Sequence, residues 1–105
     1  MDFHKETINK LVNRLKKGGK YQYAFKNITY TLSEMDVVAY RERGKRNYLL
    51  VFEVKSSDKH KYYKKARWQL NTHQKAFGDT VNKLFKFYVI PKYTSKKDYQ
   101  VRWIK

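Results

Sequence analysis

Ser33-Glu34-Met35-Asp36-Val37-Val38-Ala39 and Leu50-Val51-Phe52-Glu53-Val54-Lys55 decide the reading of this chain, and Arg41-Glu42-Arg43-Gly44-Lys45-Arg46-Asn47 joins them. Tyr48–Val54 is apolar apart from Glu53, the pattern of a central strand buried on both faces. Buried carboxylates are rare without a partner, because desolvating a charge is costly. Gly44-Lys45 suits a two-residue type II′ turn, since glycine accepts the positive φ that such a turn needs. That loop sets Asp36 opposite Glu53 and Glu34 opposite Lys55. Strand alternation then puts these four side chains on one face, with Phe52 and Val54 on the other.

Directly opposed carboxylates repel, so the pair calls for a proton or a cation between them. Oxygen ligands at that spacing suit Mg²⁺ or Mn²⁺ rather than zinc. An ion there lowers the pKa of water and neutralises phosphoryl oxygens, and Lys55 stands ready to orient the water or steady developing negative charge. The plain alternative is a buried Asp/Glu–Lys ion pair without chemistry.

Around this hairpin the order reads α-β-β-β-α-β-β. Ile8, Leu11, Val12 and Leu15 share one face of a helix over residues 3–17, with Asp2 as its N-cap and Gly18-Gly19 as its stop. Alternating Tyr21, Tyr23 and Phe25 open a strand that bends at Lys26-Asn27. Further strands are predicted at Glu34–Arg41 and Asn47–Lys55. Residues 59–77 contain no Gly or Pro, and Tyr63, Ala66, Leu70 and Phe77 give them an apolar stripe ended by Gly78. Leu84–Ile90 reads as a strand broken by Pro91, and Tyr99–Ile104 as the last. The expected fold is α/β (α+β): one domain over 1–105, with a central mixed sheet flanked by helices.

The chain has 105 residues, no cysteine, 41% hydrophobic residues and a net charge of +16 from 25 Lys/Arg against 9 Asp/Glu. That supports one core and excludes a disulfide scaffold or a thiolate zinc site. No apolar run approaches the roughly 18 residues of a membrane span, and Met1–Glu6 lacks a signal-peptide core, so the expectation is a cytoplasmic protein without a membrane partner. So large a positive charge favours a polyanion, with nucleic acid first.

Basic residues gather in two places. Arg41, Arg43, Lys45 and Arg46 mark the hairpin tip, and Lys59, Lys61, Lys64, Lys65 and Arg67 run along the second helix as a candidate phosphate track. Tyr62, Tyr63 and Trp68 are core or base-stacking residues, helical spacing favouring core for Tyr63. His4, His60 and His73 lack metal-ligand spacing and read as ordinary surface or DNA-facing residues.

Glu34-x-Asp36-Val37-Val38-Ala39 followed by Glu53-Val54-Lys55 resembles the PD-(D/E)XK nuclease superfamily. The likeness is to its resolvase-like branch, with archaeal Holliday-junction resolvases, VRR-Nuc domains and YraN-like proteins. The specific part of the likeness is confined to residues 33–57, and Met35 stands where a proline commonly precedes the Asp. The resemblance implies a restriction-endonuclease-like core and a Mg²⁺- or Mn²⁺-dependent deoxyribonuclease, with Holliday-junction resolution as the candidate biology. Asp36 and Glu53 would hold the metal, with the Val54 carbonyl and Glu6 of the first helix as further ligands. Lys55 and Gln69 would complete the catalytic set, with Glu34 and Ser56 as accessory residues. DNA, branched or duplex, is the implied partner, and a homodimer the implied assembly. The rival readings are a non-catalytic basic nucleic-acid-binding module on the same fold, and a nuclease toxin domain.

Overall fold

The computed structural model describes residues 3–31, 33–92 and 95–105, the side chains of 95–97 excepted. Helix α1 (Phe3–Lys17) is followed by β1 (Tyr23–Tyr30), β2 (Ser33–Arg43), β3 (Arg46–Val54), helix α2 (His60–Phe77), a 3₁₀ turn at Gly78–Thr80, β4 (Lys83–Lys92) and β5 (Ser95–Ile104). The order is the expected one; the Asp2 cap lies outside the described residues. Five strands form one mixed sheet in the order β1-β2-β3-β4-β5. β1, β2 and β3 are antiparallel, β4 runs parallel to β3 through the α2 crossover, and β5 returns antiparallel. Parallel neighbours need such a crossover, and it leaves the sheet with helical cover.

The two helices serve opposite faces. Ile8, Leu11 and Val12 of α1 pack on Val37, Ala39, Leu50, Phe52 and Val54, while Ala66 and Leu70 of α2 pack on Val38, Val51, Tyr88 and Ile90. Strand β3 therefore alternates between two cores, as its unbroken apolar run requires.

The β2–β3 hairpin has the predicted register, with pairs running from Arg43–Arg46 to Val37–Phe52. Gly44 sits at φ 62, and a Cβ there would meet nothing within 4 Å. A Gly44→Ala change should thus cost about 1 kcal/mol through backbone strain alone. Gly18→Ala, which needs no positive φ, serves as the control; equal urea midpoints for the two variants would refute the turn's role.

Pro91 does not break β4, contrary to expectation; the strand runs through it to Lys92. The β3 ladder ends at Val54–Val89, so past that point β4 is paired only with β5. There the missing N–H faces no partner, which is where a sheet tolerates proline.

Candidate metal and phosphodiester site

Asp36 and Glu53 stand where the hairpin register, continued one step past Val37–Phe52, places them. At that step the β2–β3 ladder stops, and a side chain takes over: Asp36 Oδ2 accepts a hydrogen bond of 2.8 Å from the Val54 amide. His4 Nε2, from the first turn of α1, lies 3.3 Å from the same oxygen. Beyond the splay, Glu34 pairs with Thr29 of β1, and the Lys55 amide donates to the Val89 carbonyl at 2.9 Å. The expected Glu34–Lys55 cross-strand pair therefore does not form.

A second irregularity sits beside Asp36. Ala24 and Val37 face α1, and strict alternation would send Ile28 and Met35 the same way, yet both pack into the α2-side core. The slip falls at Asn27, whose φ of 53 is the left-handed conformation that Asn tolerates better than most residues. The expected bend at Lys26-Asn27 is thus a change of face within a continuous strand.

Glu53 is fully buried. Its Oε1 lies 2.6 Å from His73 Nε2, and the Tyr30 hydroxyl is hydrogen-bonded to His73 Nδ1. Burial, reinforced by the charge of Asp36 and eased by Lys55, pushes the Glu53 carboxyl up to about 10. Burial also moves His73 below the usual histidine range, keeping its ring neutral. With the His73 proton on Nε2, His73 donates to Oε1 and accepts from Tyr30. That leaves Oε2, buried and without a hydrogen-bond partner, as the oxygen that carries the carboxyl proton.

In front of this carboxyl lies a cleft of about 420 Å³, whose walls include His4, Glu34, Asp36, Lys55, Gln69 and His73. Gln69 Oε1 is also buried without a partner. The buried oxygens of Glu53 and Gln69, flanked by a second carboxylate, make a donor set suited to a hard divalent cation that displaces the Glu53 proton. Among the described residues no group of three or more His, Asp or Glu side chains forms a metal cage by itself. The set is two carboxylates with main-chain and amide oxygens.

The structure thus gathers Glu34, Asp36, Lys55 and Gln69 around one cleft with Glu53 behind it, and leaves other candidates outside. Glu6 is half-buried and not among the described residues lining the cleft; His4, two positions earlier on α1, reaches Asp36 instead. Ser56 is exposed and outside the lining, and Ser57 Oγ accepts from the Lys59 amide at 3.1 Å, which is loop chemistry. His73 is no surface or DNA-facing residue, because it is buried between Glu53 and Tyr30. Its signal was legible: it falls on the same helical stripe as Ala66, Leu70 and Phe77.

Lys61, Lys64, Lys65 and Arg67 are exposed on α2, and Lys59, also exposed, is its N-cap. Helical spacing puts Lys61 and Lys65 on the same flank of α2 as Gln69 and Thr72, which line the cleft. Arg67 is on the other flank, where its charge adds to the burial that lowers the Lys86 pKa. Trp68 is 67% exposed at the cleft lip, while Tyr63 packs edge-on against Tyr88 as core. Arg41, opposite Tyr48, lies roughly 17 Å from Glu53 along the hairpin, and Arg43, Lys45 and Arg46 at its tip lie roughly 23 Å or more away, at ~3.3 Å per residue. They do not belong to this site.

No protein-family model matches the chain, and neither the curated proteins nor the solved structures contain a match to it. Among the described residues no helix is long and apolar enough to cross a membrane.

Proposed function

We propose that this chain is a divalent-metal-dependent nuclease acting on DNA, built on a restriction-endonuclease-like core of the resolvase-like kind. The observation that carries the reading is the Asp36/Glu53 pair, with the buried, unpartnered Oε2 of Glu53 behind a cleft that Lys55 and Gln69 line. The order α-β-β-β-α-β-β, with both acids at one end of the second and third strands, supports it.

Asp36, Glu53 and the main chain at Val54 would hold Mg²⁺ or Mn²⁺. Such an ion supplies charge neutralisation at a phosphoryl oxygen and makes water a better nucleophile. The remaining work falls to the chain. The Lys55 ammonium orients the attacking water and offsets negative charge on the pentacovalent phosphorus. The Gln69 amide holds that water or a phosphate oxygen. Lys61 and Lys65 grip the backbone on the α2 flank, so affinity falls steeply with added salt.

The test is cleavage of a labelled four-way junction, a matched linear duplex and a single strand in Mg²⁺ or Mn²⁺, with EDTA controls. Metal-dependent cutting of any of them, lost in Lys55→Ala, supports the chemistry. Paired cuts near the crossover add the resolvase reading and the homodimer it entails. Salt-sensitive binding without cutting of any substrate overturns the enzyme.

One observation favours the second reading, a non-catalytic nucleic-acid-binding module. Asp36 already serves the Val54 amide and Glu53 already serves His73, so both acids have structural work. Calorimetry separates the two readings. A cation at Oε2 replaces the Glu53 proton, so Mn²⁺ should raise the melting temperature more at pH 8.5 than at pH 6. A module predicts no shift at either pH.

A further inference from the structure

The sheet face that carries α1 is covered at one end only. Toward the hairpin end, Tyr48 of β3, Phe85 of β4 and Trp103 of β5 form a cross-strand row, with ring centroids 6.3 Å and 6.4 Å apart. Trp103 is 56% exposed and Val101, on the same strand, is 43% exposed. Beside the row a groove of about 360 Å³ is bounded by Lys20, Arg41 and Arg43, with Tyr48, Phe85 and Phe87 among its apolar walls. Lys83 Nζ stands 5.3 Å from the Phe85 ring centre, and Lys105 Nζ 5.7 Å from that of Trp103. None of the described groove residues is acidic.

From this we infer a second nucleic-acid site, on the face opposite α2, that binds unpaired segments of a strand by stacking bases on the Tyr48–Phe85–Trp103 row. An exposed Trp103 continuing a row of half-buried Tyr48 and Phe85, rimmed by cations, matches the two chemistries of a single strand, π-faces and phosphates. A duplex offers the phosphates but hides its base faces. A second copy of this chain is the poorer occupant, because it would set the same cations against each other at a net charge of +16 per copy. The site also gives Arg41 and Arg43 work, although they lie far from the metal cleft.

The experiment is fluorescence anisotropy of labelled oligothymidylate and of a blunt duplex with the full-length chain in EDTA. Without metal, the result is independent of whether the chain cuts DNA. Trp103→Ala should weaken single-strand binding about tenfold and leave duplex binding nearly unchanged, and Trp103→Phe should restore most of the loss. Arg43→Ser, exposed at the rim, should lower affinity and reduce the salt slope by about one charge. Unchanged single-strand affinity in Trp103→Ala, or an equal loss on duplex, overturns the site. Sedimentation that finds a wild-type dimer turned monomeric by Trp103→Ala overturns it too, by assigning the face to a second copy.

Discussion

Glu53→Gln should make the protein more stable and, as a nuclease, inactive. In the unfolded chain the carboxyl titrates near 4.5; in the fold burial holds it protonated up to about 10. For an acid raised in this way, the native state binds more protons than the unfolded one between those limits. Its favourable contribution is full below pH 4.5 and fades as pH rises toward 10. Keeping the proton at pH 7 costs about 3 kcal/mol relative to an unperturbed Glu, and each further pH unit about 1.4 kcal/mol. Glutamine needs no proton: its oxygen accepts from His73 and its amide occupies the place of Oε2. His73 acts with opposite sign, since its lowered pKa removes stability as pH falls through the usual histidine range. Of this pair, only Glu53 contributes a slope above pH 7, and Glu53→Gln removes that slope while leaving every other titrating group in place. The melting temperature of wild type should decline from pH 7 to pH 9 in metal-free buffer, while that of Glu53→Gln stays level and higher. On the proposed nuclease reading, metal-dependent cleavage should fall at least about a hundredfold in the same variant, because the proposed site would lose one charged oxygen ligand. A less stable Glu53→Gln would refute the buried proton, and a fully active one would refute the metal role.

His73→Ala is expected to be the most damaging single change in the core. The imidazole is the only described link joining α2 to Glu53, and it also receives Tyr30 from β1. Truncation leaves the buried Glu53 Oε1 without its partner, takes one partner from the half-buried Tyr30 hydroxyl, and opens a void in the α2-side core. Together these cost of order 3 kcal/mol, or roughly 15 °C in melting temperature for a domain this size. Tyr30→Phe removes one hydrogen bond and keeps the packing, so about 1 kcal/mol is expected. Denaturant melts at pH 7 measure both. If His73→Ala lost less than Tyr30→Phe, the chain from Tyr30 through His73 to Glu53 would not be what ties the layers together.

Much of the site lies open in the letters. A two-residue loop with glycine at its first position leaves a hairpin one register, and period-two alternation carries that register to Asp36 and Glu53 without tertiary information. Helix α1 was equally readable, since its apolar spacing and Gly18-Gly19 are local signals. Lys55 followed from its place just after Glu53, whereas Gln69 was named only by the family resemblance.

Other features depended on what the chain meets in space. Pro91 reads as a breaker locally, but the β3 ladder had already ended beside it. Lys26-Asn27 reads as a bend, but that the left-handed Asn27 sends Ile28 and Met35 to the other core shows only in three dimensions. Glu6 and His4 are both first-turn residues of α1, and the seating of that helix on the sheet, which no local pattern encodes, chose the histidine. His73 sits on the apolar stripe of α2, but only the depth at which the helix rests on β3 brings its ring within 2.6 Å of a buried carboxyl. By itself the sequence determined the elements, the hairpin register and the pairing of two acids, because those rest on φ preferences and strand period. Tertiary structure decided which side chains answer the acids, because that depends on how helices seat across layers, where neighbours in space are strangers in sequence.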